Sequence, residues 1–123
     1  MKPKLVIGLG NRMVDADTGG LRCFDILRWA VRAQENLEFL EGGTDLLRLG
    51  GQLRDRELIL LFDAAHGGDR LITVLEHGDP KLDSTQQHAH HLSAVAALDL
   101  LRLTDERVRQ ARCFWVLIDV SAE

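Results

Sequence analysis

Two acid-bearing loops and one histidine cluster are the parts of this sequence whose residue types can do chemistry. Asp15 and Asp17 follow Gly8-Leu9-Gly10-Asn11, and Asp63 closes an apolar run at positions 57–62, ELILLF. All but one of the five histidines (His77, His88, His90 and His91) fall between positions 77 and 91. Two carboxylates and an imidazole brought to one place hold a divalent metal. Oxygen and nitrogen ligands suit nickel or zinc and leave positions open for a substrate group. Each residue also has a plainer use. Asp17 or Thr18 can cap a helix by accepting from its first unpaired N–H groups, and surface histidine clusters are usually just solvated. A nucleotide cradle is the competing use of Gly8-x-Gly10. Its third glycine belongs at position 13, where Met13 stands, and nearby acids repel a pyrophosphate.

The elements that must position these groups follow from hydrophobic spacing. Leu5, Val6 and Ile7 form an apolar run too short for a soluble helix and closed by glycines, which reads as a buried strand. From Thr18 to about position 34 the spacing turns helical, with Leu21, Phe24, Leu27 and Val31 on one face. Positions 36–41 read as a second strand ended by Gly42-Gly43-Thr44. A second helix over 45–54 is expected to be short or broken at Gly50-Gly51. Positions 57–62 are apolar without alternation, as suits a central parallel strand buried on both faces. The loop before 71–75 (LITVL) is too short for a helical crossover, so that strand is expected antiparallel, as a hairpin or sheet edge. Ser84-x-x-Gln87 has the form of a capping box, followed by a helix from about 85 or 88 to 103 and a last buried strand at 113–120. The order β-α-β-α-β-β-α-β predicts one domain over residues 1–123. Its fold class is α/β, a three-layer α/β/α sandwich around a mostly parallel five-stranded sheet with one antiparallel strand. In such a sheet the carboxyl ends of the parallel strands share a rim, which is where Asp17, Asp63 and the histidine cluster are expected to meet.

Composition narrows the function further. The chain has 123 residues, 46% of them hydrophobic, and a formal charge of −4, which speaks against nucleic-acid and membrane-surface roles. No stretch reaches the ~18 apolar residues of a membrane span. Cys23 and Cys113 stand far apart with no CxxC and no secretory leader pattern, as expected of free thiols in a reducing cytoplasm. No Ser-His-Asp or Cys-His arrangement supports covalent catalysis, and HExxH is absent.

Taken in order, these motifs resemble the nickel–iron hydrogenase maturation endopeptidases. Gly8-Leu9-Gly10-Asn11 followed by Asp17 and Gly20 looks like the family's G-x-G-N and D-[DE]-G-x-G opening. Glu41-Gly42-Gly43-Thr44 resembles its D-G-G-T, and Phe62-Asp63-Ala64 its D-A motif. The segment from His90-His91-Leu92 to Leu101-Arg102-Leu103-Thr104 resembles the one holding its ligand histidine. The resemblance implies Asp17, Asp63 and His90 as metal-ligand and catalytic residues. It implies nickel carried by the substrate, with zinc or cadmium as substitutes in a crystal. The partner it implies is the hydrogenase large-subunit precursor, whose carboxyl-terminal extension is removed after nickel insertion. Ala16 stands where the family usually has an acid, Thr18 where it often has glycine, and His88 where it has a small hydroxyl residue, which leaves His88 and His91 as alternative ligands. The family continues past the last strand into a loop and a terminal helix, whereas this sequence stops at Glu123. An under-covered, apolar sheet face that invites a partner or a second copy is therefore expected. The alternative function is a non-catalytic metal-binding assembly protein of the same fold.

Overall fold

The computed structural model describes residues 3–13, 18–65, 71–84 and 89–119, with side chains at 3–13, 18–65, 71–82 and 94–119. Strands β1 (Lys4–Leu9), β2 (Leu37–Gly43), β3 (Leu58–Ala65), β4 (Ile72–Glu76) and β5 (Arg112–Asp119) form one sheet in the order β2-β1-β3-β5-β4. The β1–β2, β1–β3 and β3–β5 pairs are parallel and β4–β5 is antiparallel. The α/β class and the single antiparallel strand are as the sequence implied. The parallel strands end on one edge, and that edge is the rim.

Two details differ from the sequence reading. β4 is an edge strand but not a hairpin with β3, because β1 and β5 occupy both sides of β3 and leave β5 as the free neighbour. Helix α1 (Thr18–Ala30) stops short of position 34. There Arg32 donates from Nη1 to the Trp29 carbonyl at 2.7 Å and lies 3.9 Å over the Trp29 ring, taking up a carbonyl that a further turn would have used. The second helix is broken at Gly50 as expected: a 3₁₀ turn (Leu46–Leu49) runs into the single turn α2 (Gly50–Leu53). The remaining helices are α3 (Lys81–Ser84), α4 (Ala89–Thr104) and α5 (Glu106–Arg109), the last capped by Asp105, whose side chain accepts from the Arg107 N–H at 3.0 Å. The expected capping box at Ser84–Gln87 lies largely outside the described residues.

Strand alternation divides the core between two faces. Leu5, Ile7, Ile59, Leu61, Cys113, Trp115 and Leu117 point to one side and pack with Leu53, Ala94, Ala97, Leu98 and Val108 of α2, α4 and α5. On the other side Val6 and Phe62 pack with Phe24 of α1 in a smaller cluster flanked by Leu27, Phe39, Leu60 and Val116. Gly8 makes this possible: a Cβ there would sit 2.7 Å from the Phe24 ring. The register places Ile72 and Val74 of β4 opposite Ile118 and Val116, on the α1 side, and they are 49% and 58% exposed. This face is thinly covered toward β4, and β5 is nonetheless an interior strand.

The larger face is held at the edge opposite the rim. Trp115 is fully buried and its Nε1–H donates to His77 Nδ1 at 3.0 Å. An indole nitrogen only donates, so His77 carries its own proton on Nε2 and donates to Asp99 Oδ1 of α4 at 2.6 Å. Replacing His77 with alanine strands the buried indole N–H and unties α4 from the β4 turn. Urea unfolding is expected to show a loss of about 1–3 kcal/mol.

Candidate active site at the carboxyl rim

Asp63 is the centre of what the structure shows of this site. β3 runs to Ala65, two residues beyond Asp63, so the carboxylate leaves the strand from inside its last turn of pairing rather than from a loop. Asp63 is 3% exposed, and its Oδ1 accepts from the Ala64 N–H at 2.9 Å. It lines a small depression together with Leu9, Gly10, Gly43, Thr44 and Ala94. The ends of β1, β2 and β3 and the start of α4 therefore meet here. Gly10 turns the chain away from β1 with φ of 131°, a conformation that side chains avoid, and its N–H donates to the Gly43 carbonyl at 2.9 Å. Asn11 continues the turn by accepting the Met13 N–H at 2.9 Å on its side-chain oxygen.

Helix α1 is pressed against the same aspartate. A Cβ on Gly20 would lie 2.8 Å from both the Cα and the carbonyl carbon of Asp63. No side chain larger than hydrogen fits, so glycine lets the first turn of α1 touch the strand at that point. Asp17, the expected second acid, immediately precedes α1 and, with Asp15, lies outside the described residues. His88 lies outside them as well. His90 and His91 fall in the first turn of α4, with their side chains outside the described set. Position 90 is one helical turn before Ala94, which lines the depression, and residues four apart share a helix face. Among the described residues no group of three or more His, Cys, Asp or Glu is placed to hold a metal.

Other rim residues carry no motif. Asp119, 6% exposed, closes β5 and pairs with Ala65 in register, which puts it on the same sheet face as Asp63 and two residues further along. Its signal in the sequence is the same as that of Asp63, an acid at the end of an apolar run. Arg12 grips Asp25 of α1 through Nη1 and Nη2 at 3.0 and 2.9 Å, and Glu41 of β2 through Nε and Nη2 at 2.5 and 3.1 Å. This guanidinium holds the Asp25 carboxyl below the usual range, and the two acids raise Arg12 further. Burial pushes the thiols of Cys23 and Cys113 up, so neither has the character of a nucleophile.

Two outcomes test this geometry. Gly20→Ala is expected to destabilise by about 1–3 kcal/mol in urea titrations, because the backbone of Asp63 cannot yield as a side chain would. The control Gly51→Ala, with nothing within 4 Å of its Cβ, is expected to stabilise by roughly 0.5–1 kcal/mol. Because the Asp25 carboxyl is lowered in the folded state, its contribution is complete above its unfolded value of about 3.9 and is lost as pH falls through the folded value. Arg12→Ala is expected to flatten that acid limb of the stability profile.

Comparison with known proteins follows the same geometry. No protein-family model matches the sequence. The chain is 26% identical over 106 residues to the hydrogenase 2 maturation protease of Escherichia coli K12, covering 83% of this chain and 65% of the length of that relative. Similar solved structures include the [NiFe] hydrogenase maturation protease HybD from Thermococcus kodakarensis, with a TM-score of 0.76 and 28% identity over 97% of this chain and 80% of that one. The hydrogenase maturating endopeptidase HybD from E. coli matches with a TM-score of 0.71 and 22% identity over 97% and 74% of the two chains, a likeness of fold.

Proposed function

We propose that this chain, a structural homologue of the hydrogenase maturation proteases, is a cytoplasmic endopeptidase that trims the carboxyl-terminal extension of a nickel–iron hydrogenase large-subunit precursor once nickel has been inserted. The observation that carries the reading is Asp63: a carboxylate buried at the carboxyl rim, in a depression walled by the Gly10 turn and Gly43, with the amino end of α1 pressed onto its backbone. Rims of this kind are where open α/β sheets place their chemistry.

In this reading the nickel is part of the substrate. Asp63, Asp17 from the residue before α1, and His90 from the first turn of α4 recognise it. Three protein ligands leave positions open for the groups by which the precursor already holds its metal. A metal so placed polarises the scissile carbonyl or a water next to it. The depression has no room to enclose a small molecule, which suits a chain segment presented by a folded partner better. Among the described residues no helix is long and apolar enough to cross a membrane.

The test is incubation with nickel-loaded and nickel-free precursor, read by the mass of the large subunit. Wild-type protein is expected to shorten only the nickel-loaded form, whereas Asp63→Ala, Asp17→Ala and His90→Ala are expected to leave it full length with their folds retained. If Asp17 is only a helix cap, its alanine variant will instead lose about 0.5–2 kcal/mol of stability and still process. Nickel-dependent binding of the precursor without cleavage by wild-type protein would replace the protease reading with the assembly-protein one.

A further inference from the structure

Arg12 belongs to no motif, yet it joins three elements of the rim. Its own residue lies in the turn that leaves β1, Asp25 lies on α1, and Glu41 lies near the end of β2. Both oxygens of each carboxylate are engaged, by contacts of 2.9 and 3.0 Å to Asp25 and 2.5 and 3.1 Å to Glu41. A planar guanidinium has the donors to grip two carboxylates side by side; an ammonium group does not. A single exposed ion pair contributes little to stability. The consequence here is geometric. The same turn is bound through its backbone by the Gly10 N–H to Gly43 carbonyl bond, and Gly10 and Gly43 are the wall of the depression that Asp63 lines. Arg12 supplies the side-chain half of that connection and adds α1 to it, the helix whose Gly20 rests on Asp63.

We propose that Arg12 is a positioning residue for the processing reaction: its two-carboxylate clamp holds the β1 exit turn, α1 and the end of β2 in one arrangement and so sets the wall facing Asp63. The clamp also keeps Glu41 at the outer wall, bound to a cation of its own chain. This inference rests on the function proposed above, and its test separates the two.

Hydrogen exchange at the amides of Gly10, bonded to the Gly43 carbonyl, and Met13, bonded to the Asn11 side chain, reads the clamp without any substrate. In Arg12→Ala these amides are expected to exchange at least tenfold faster, a larger change than the loss of global stability read from the urea midpoint accounts for. The double variant Asp25→Asn with Glu41→Gln is expected to reproduce this, and Arg12→Lys to rescue it only in part. With nickel-loaded precursor, kcat is expected to fall tenfold or more in Arg12→Ala while KM changes little, with Arg12→Lys again intermediate. Unchanged exchange would overturn the clamp. Faster exchange with unchanged kcat would overturn its positioning role, and full rescue by lysine would show that charge alone was required. A wild-type protein that binds and cleaves no precursor would instead remove the protease reading, with the exchange rates still deciding whether the clamp exists.

Discussion

The close approach of α1 to β3 is the constraint on which the rim depends. A helix normally rides on a sheet at the distance its side chains impose. Here Gly20 removes one side chain at the point of contact, and the first turn of the helix meets the backbone of Asp63 directly. Gly8 removes another on β1, and the Phe24 ring fills the space. Two missing side chains let one helix sink into the sheet at both strands. From that fit follow the edge-to-face contact of Phe24 with Phe39 at 5.7 Å and the small cluster around Val6 and Phe62.

The two faces of the sheet are unequal in a way that serves the same end. The larger core lies under α2, α4 and α5, and its largest fully buried side chain, Trp115, is tied through His77 to Asp99 at the edge away from the rim. Arg102 strengthens that side, donating to the Ala111 carbonyl at 2.8 Å and to Cys113 Sγ at 3.3 Å. The other face has α1 and little else among the described residues, and its apolar side chains on β4 stay in contact with solvent.

Charge is distributed along the rim by depth. Asp63 and Asp119 are buried in the sheet, whereas Asp25 and Glu41 lie outside and share the guanidinium of Arg12. A fixed cation serves the outer pair. Surface pairs elsewhere, such as Arg54 with Asp105 and Arg107 with Asp55, join α5 to the loop after α2 and take no part in this arrangement.

Sequence alone determined most of the fold. The unbroken apolar runs of β3 and β5, the helical spacing after Thr18 and the break at Gly50 were all legible because strand and helix periods, and glycine's effect on a helix, are local properties. Asp63 was legible for the same reason, as an acid closing such a run, and Asp119 carries that signal too. Which strand would take β4 was decided only by tertiary structure, since it depended on β1 and β5 already flanking β3. The partners of Arg12 are 13 and 29 residues away, and no local pattern marks an arginine that three elements will share. The meaning of the glycines was likewise hidden. Gly8-x-Gly10 suggests a cradle, but the folded chain uses Gly8 to seat Phe24 and Gly10 to turn, while Gly20, one glycine among eleven, sets the distance between helix and acid. A missing Cβ acquires a purpose only when another part of the chain arrives to occupy its place.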